Sequence, residues 1–178
     1  MELGKGGHLL NVYMTFGTHD FLKKLYEKHK GDKNIHLLDG SGTSSLLLET
    51  EGKSIFKSGK RYDMIDASGG FEGATFVVMH HIPVSRQDTD LFRYEAKERT
   101  GLIQKQPGNK GVRILKEKKE DIFLIVSIWD SSGDFRRFQS SPDFEQLAIP
   151  QANIPQELFT GKSYVKMYSI YREELEEK

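Results

Sequence analysis

The chain contains no cysteine. That excludes disulfides, thiolate metal sites and thiol nucleophiles, and it agrees with a reducing, cytoplasmic setting. No apolar run approaches the ~18 residues that a bilayer-spanning helix needs, so no membrane segment is expected. Neither sign of charge prevails, with 26 Lys plus Arg against 26 Asp plus Glu, so nothing global favours nucleic acid or an acidic membrane. The densest basic patch, Lys57 to Arg61, is short and lacks interleaved aromatics, so no nucleic-acid partner is expected. The opening MELGKGGHLL has too short an apolar run for a signal peptide, and residues 1–10 are expected to form a Gly-rich flexible tail. GxSxG, Walker A, HExxH and GxGxxG patterns are all missing, which removes the common signatures of hydrolases, P-loop proteins, zincins and dinucleotide binders.

What is present is organised around Thr75–Val84, TFVVMHHIPV. Phe76, Val78, His80 and Ile82 alternate with Val77, Met79 and His81, and both registers are apolar until a histidine interrupts each. A strand with one wet face would show polar residues at every second position, so this one is covered on both sides. Successive side chains point to opposite faces, so His80 and His81 cannot serve one ion or ring, and one of them should face whatever cavity the sheet encloses. Ile122–Trp129 is a second doubly apolar strand.

Taken in order, the first half has a strand through Val12, Met14 and Phe16 that stops at Gly17. Thr18 is placed to cap a helix carrying Phe21, Leu22, Leu25 and Tyr26 and ending near Gly31. Short strands follow at Ile35–Leu38 and Ser45–Thr50. A turn at Glu51-Gly52 leads into a strand at Lys53–Lys57, and a short helical piece is expected around Tyr62, Met64 and Ile65. That order is β-α-β-β-(β)-α. In the second half, Ser85 or Asp88 caps a helix from about Thr89 to Gln104, with Leu91, Phe92, Ala96 and Ile103 inside. Strands at Val112–Lys116 and Ile122–Trp129, helices from Ser131-Ser132 and Ser141-Pro142, a loop at Pro150 to Pro155 and a strand at Tyr164–Tyr171 complete it. This order is β-α-β-β-α-β, the ferredoxin-like arrangement.

The fold class expected is therefore α+β. Residues 11–72 form an N-terminal βαββ-type module and residues 73–172 a ferredoxin-like domain, followed by a charged tail at 173–178. A four-stranded sheet with helices on one face leaves the other face to be covered. Two such sheets packed face to face give a barrel-like interior, here as a pseudo-dimer within one chain. The protein is then either a monomer containing that pseudo-dimer or a homodimer.

Among further candidates, Gly40-Ser41-Gly42-Thr43-Ser44 lies between two strands with no helix after it, which makes it a hairpin turn rather than a phosphate loop. His19 and His29 fall on different faces of their helix, and His36 and His8 have no carboxylate or histidine at ligand spacing. Trp129 ends a central strand as a core or rim aromatic, and Phe135, Phe138 and Phe144, at helical spacing, are read as core residues.

Ile128-Trp129-Asp130-Ser131, then Phe135, Phe138, Ser141 and Phe144, resembles the strand-to-helix signature of the antibiotic-biosynthesis-monooxygenase (ABM) superfamily, and is most similar to its heme-degrading monooxygenases of Gram-positive bacteria. Tyr13-Met14-Thr15-Phe16-Gly17-Thr18 with Phe21-Leu22, and Glu49-Thr50-Glu51-Gly52, resemble the extra N-terminal module of a two-part subgroup that also contains the staphylococcal TRAP-type proteins. The resemblance implies a heme between helix and sheet, a histidine as proximal iron ligand, a distal asparagine, and a tryptophan that distorts the ring. Carried across, His80 stands at the asparagine position, Phe138 at the tryptophan position and Ala148 at the proximal histidine position. Trp129 matches a different family tryptophan. Alanine cannot ligate iron, so if heme binds, His80 is the replacement ligand and Phe138 and Trp129 are pocket residues. Three functions stay open: a heme-binding monooxygenase with a rebuilt ligand set, a non-catalytic TRAP-like protein without cofactor, and a cofactor-independent monooxygenase of a small aromatic substrate with His80 as base.

Overall fold

A computed structural model of the chain describes residues 10–31, 33–144 and 163–173. Ala148, the continuation of the helix expected at Ser141-Pro142 and the loop at Pro150 to Pro155 lie outside the described residues, as do most of both tails. Leu10, the last residue of the expected N-terminal tail, packs against the core, and its carbonyl accepts from the Met64 N–H.

The elements are β1 (Asn11–Gly17), α1 (His19–His29), β2 (Asn34–Asp39), β3 (Ser44–Thr50), β4 (Lys60–Gly69), β5 (Phe76–Pro83), α2 (Thr89–Ile103), β6 (Asn109–Glu117), β7 (Ile122–Trp129), α3 (Ser132–Gln139) and β8 (Tyr164–Ile170). The strands close into an antiparallel barrel in the order β1-β3-β2-β8-β5-β7-β6-β4. The second half runs β8-β5-β7-β6, the ferredoxin-like order of fourth, first, third and second strands. The first half runs β4-β1-β3-β2, which is the same order. The two sheets are thus pseudo-equivalent, and each joins the other through its second and fourth strands.

The two seams differ. β4 and β6 pair along their whole length, from Tyr62 with Glu117 to Gly69 with Gly111. β2 and β8 pair briefly, through Leu38 with Ile170 and Asp39 with Ser169, and one further bond runs from the Tyr171 N–H to the Leu37 carbonyl just beyond.

β4 corrects two expectations. Residues 53–57 form no strand, and the piece around Tyr62, Met64 and Ile65 is extended, not helical. Tyr62 and Met64 alternate into the barrel, whereas Ile65 joins the outer core under the second half's helices. A strand covered on both faces places apolar residues in both registers, and here that leaves spacings that imitate a helix. A β-bulge follows between Met64 and Asp66.

Inside the barrel, Val12, Met14, Leu47, Tyr62, Met64, Val77, Met79, Leu124 and Val126 interdigitate in one packed core. Outside, α1 covers Ile35, Leu37, Leu46 and Leu48 through Leu22. Thr18 caps α1, accepting from the Phe21 N–H at 3.3 Å, an interaction worth about 1 kcal/mol. On the second half, α2 and α3 cover Val78, Ile82, Val112, Ile114 and Ile125 with Phe92, Ala96, Ile103, Phe135 and Phe138. Leu91 does not belong to the buried side of α2, being 46% exposed; Arg99 and Thr100 are buried in its place. The first half has no counterpart of α3, since residues 51–59 connect β3 to β4 without a helix.

Candidate functional site

β5 lies at the centre of the second sheet, between β7 and β8, so both of its faces are covered. Val77 and Met79 point into the barrel and Val78 and Ile82 toward the helices, which sends His81 inward and His80 outward. Inward, Val77 and Met79 pack with Leu124 and Val126 in the barrel core. The hollow faces the other way, between sheet and helices, where about 260 Å³ is open beside His80.

α3 forms the roof. Ser131 starts it, accepting from the Asp134 N–H at 3.2 Å, and the three-residue spacing of Phe135 and Phe138 turns both rings toward the sheet. The Phe138 ring stacks on Trp129 with centroids 5.5 Å apart and 27° between planes, and meets Phe144 edge-on at 5.4 Å. Phe135 closes the cluster, edge-on to Trp129 at 5.6 Å. Of the residues singled out from sequence, His80 and Phe138 line the hollow together, while Trp129 stands behind Phe138 as its backing and is fully buried.

The floor is Val78, Ile125 and Ser127 on the sheet, with Val165 and Met167 of β8 at the side. Ser127 and Gln139 are polar lining residues that sequence reasoning passed over. Ser127 was detectable as the one polar residue in the FLIVSIW run. Its Oγ accepts the Trp129 Nε1–H at 2.9 Å, which leaves its own O–H free to point elsewhere. Gln139 had no signal, because the last turn of a short helix is usually wet.

Both imidazoles are buried, each 8% exposed, and burial pushes their pKa values down to about 4. For His81 the charges of Lys166 and Lys60 act in the same direction. Both rings are therefore neutral at pH 7. His80 makes no hydrogen bond among the described residues, so its polar atoms are available to an occupant of the hollow. His81 stacks flat on Tyr164, with centroids 4.4 Å apart and 9° between planes, and its Nε2 is buried without a partner.

Two of the remaining histidines are engaged elsewhere. His19 Nδ1 lies 2.7 Å from Asp39 Oδ1, which also accepts from Ser44 Oγ. His36 stacks on Phe71 and approaches Asn34 Oδ1 at 2.9 Å. Among the described residues no three His, Asp or Glu side chains are grouped to hold an ion, and no helix is long and apolar enough to cross a membrane. The Gly40–Ser44 segment is the β2–β3 hairpin turn, with Gly42 at φ +84°.

Residues 75–148 match the family described as Antibiotic biosynthesis monooxygenase, so the second half of the chain carries an ABM domain. A heme-degrading monooxygenase of Listeria monocytogenes is 28% identical over 131 residues, covering 74% of this chain and 78% of that protein. The signal transduction protein TRAP of Staphylococcus epidermidis is 24% identical over 135 residues, covering 76% and 80%. Among solved structures, a monooxygenase-like protein from Listeria innocua superposes with a TM-score of 0.74 at 27% identity, covering 93% of this chain and 96% of that one. The relatives therefore extend over both halves.

Proposed function

We propose that this ABM-domain protein is a monooxygenase that takes a small, electron-rich aromatic molecule into the hollow between β5 and α3, with His80 as its polar contact. The observation that carries this reading is His80 itself: a neutral imidazole, free of protein hydrogen bonds, facing a hollow walled by Phe135, Phe138 and Phe144. Apolar lining with one or two convergent polar groups suits a planar ring bearing a hydroxyl. The phenolic O–H donates to His80, and Ser127 and Gln139 offer further contacts.

The chemistry needs no external reductant. A phenol with a free para position plus dioxygen gives a para-quinone and water: one oxygen enters the ring carbon, and the other leaves as water with the substrate's O–H and C–H hydrogens. An imidazole with a pKa near 4 is a weak base. A phenol that has given up an electron is a far stronger acid than the neutral phenol, so a weak base held at hydrogen-bond distance is sufficient to take its proton.

Heme is the cofactor raised by the Listeria relative's name, and the described residues do not fit it. His80 has the right donor chemistry for iron. A ligating histidine, however, ordinarily donates its other N–H to a carbonyl or carboxylate, and His80 has no such partner. About 260 Å³ suits a molecule of one or two rings better than a heme macrocycle. The described lining carries no Lys or Arg for the heme propionates.

Oxygen uptake with a panel of para-unsubstituted phenols and 1-naphthols tests the proposal. Uptake that falls at least tenfold in His80→Ala supports it. Saturable ligand binding without uptake assigns the hollow to a non-catalytic, TRAP-like role. A His80-dependent Soret shift on titration with hemin overturns it in favour of heme.

A further inference from the structure

Where the first half lacks the equivalent of α3, the surface carries a cleft of about 370 Å³ between the β3–β4 connection, the start of β4 and the β6–β7 turn. Lys57, Lys60, Arg61, Lys118 and Lys119 line it. Lys60 is balanced by Glu117 at 3.5 Å and Lys118 by Asp63 at 3.6 Å. Arg61 donates to the neutral Asn11 Oδ1 at 3.2 Å, and Lys57 and Lys119 have no ion-pair partner among the described residues. Three cations are thus unbalanced around one concavity, in a chain whose formal net charge is zero. The walls also hold Tyr13 and Phe56.

The internal pseudo-symmetry supplies a control. The corresponding place in the other half is where the β2–β3 turn meets the start of β8, and there is a hollow there too, of about 480 Å³. Among the described residues its lining contains one cation, Lys166, with Gly40, Ser41, Thr43 and residues of β8. The concavity therefore comes with the fold, whereas among the described residues the cluster of cations lies in the first half. A cleft of one sign with low-dielectric walls focuses field and concentrates counter-ions.

We infer that this cleft binds a small phosphorylated molecule, its phosphates held by Lys57, Arg61 and Lys119. Arginine suits a forked contact to phosphate oxygens, and lysine acts as a point charge beside it. The volume lies within the range of small-molecule sites. Phe56 and Tyr13 offer an apolar surface to any ring the molecule carries. The cleft is separate from the His80 hollow, sharing no lining residue with it.

Isothermal titration of the full chain at 150 mM salt, with inorganic pyrophosphate and with ADP, tests this inference. Saturable binding of either supports it, and tighter binding of ADP identifies a ring-bearing molecule as the occupant. The Lys57→Ala/Lys119→Ala double variant weakens binding at least tenfold with its melting temperature unchanged, and Arg61→Lys weakens it several-fold. His80→Ala leaves it unaltered, so this inference stands or falls independently of the proposed oxygenase. Absence of saturable binding, indifference to the double variant, or tighter binding of a short DNA duplex than of either probe overturns it.

Discussion

Arg113 and Glu49 meet inside one end of the barrel, Nε to Oε2 at 3.2 Å, and tie β6 of one half to β3 of the other. Both are buried, and the guanidinium also donates to the carbonyls of Ser68, Val112 and Gly69. A charge left alone in such a place is costly, whereas losing both together costs much less. Arg113→Met should destabilise the protein by about 3–5 kcal/mol in urea unfolding. Adding Glu49→Leu should recover a large part of that loss. A double variant as unstable as the single one contradicts the pairing.

Acid should weaken the fold through its buried imidazoles. In the folded chain His80 and His81 titrate near 4, against 6.5 for a free imidazole. Between these values the unfolded chain binds more protons, so stability is complete above about pH 6.5 and declines as pH falls toward 4. The effect is at most about 3 kcal/mol for each ring. Urea midpoints measured from pH 7.5 to 4.5 should show the decline. His81→Phe, which keeps the stack on Tyr164, should flatten it.

Trp129 is the chain's only tryptophan, and it lies directly behind Phe138, one ring away from the hollow. Its emission should be blue-shifted in the folded protein, as expected of a buried indole. A quinone bound against Phe138 should quench it. Quenching that is saturable and weakened at least fivefold by Phe138→Ala confirms the location; linear, collisional quenching contradicts it.

Gly59 leads the chain into β4 at φ +139°, and a Cβ there would lie 2.2 Å from the Met14 carbonyl oxygen. Neither the backbone angle nor the space admits a side chain. Gly59→Ala should cost more than ~1 kcal/mol of stability. It should also distort the basic cleft, since Gly59 is part of its wall. Thermal melting together with pyrophosphate titration checks both effects.

Much of this architecture was legible in the sequence because its signals are local. Thr18 and Ser131 mark helix starts, and Ile122–Trp129 reads as a doubly covered strand. The identity of His80 as the outward member of the pair was not, because alternation separates two neighbours without saying which face is hollow. β4 is less legible because a strand apolar on both faces, with Tyr62 and Met64 inside and Ile65 outside, shows no clean alternation. The basic cleft was missed for a different reason. Lys57–Arg61 looks unremarkable alone, and Lys118-Lys119 joins it only through the pairing of β4 with β6. The Glu49–Arg113 pair, 64 positions apart, leaves no trace in local spacing.

The unequal seams give the barrel a hinge and a clasp. The long β4·β6 ladder holds as a hinge, while the contact of Leu38 and Asp39 with the end of β8 is the clasp. Thermal fluctuations should therefore part the wall at one predetermined line, with β8 amides exchanging with deuterium well before those of β6. Because β8 also forms one side of the His80 hollow, loosening of the clasp should be felt along that wall as well.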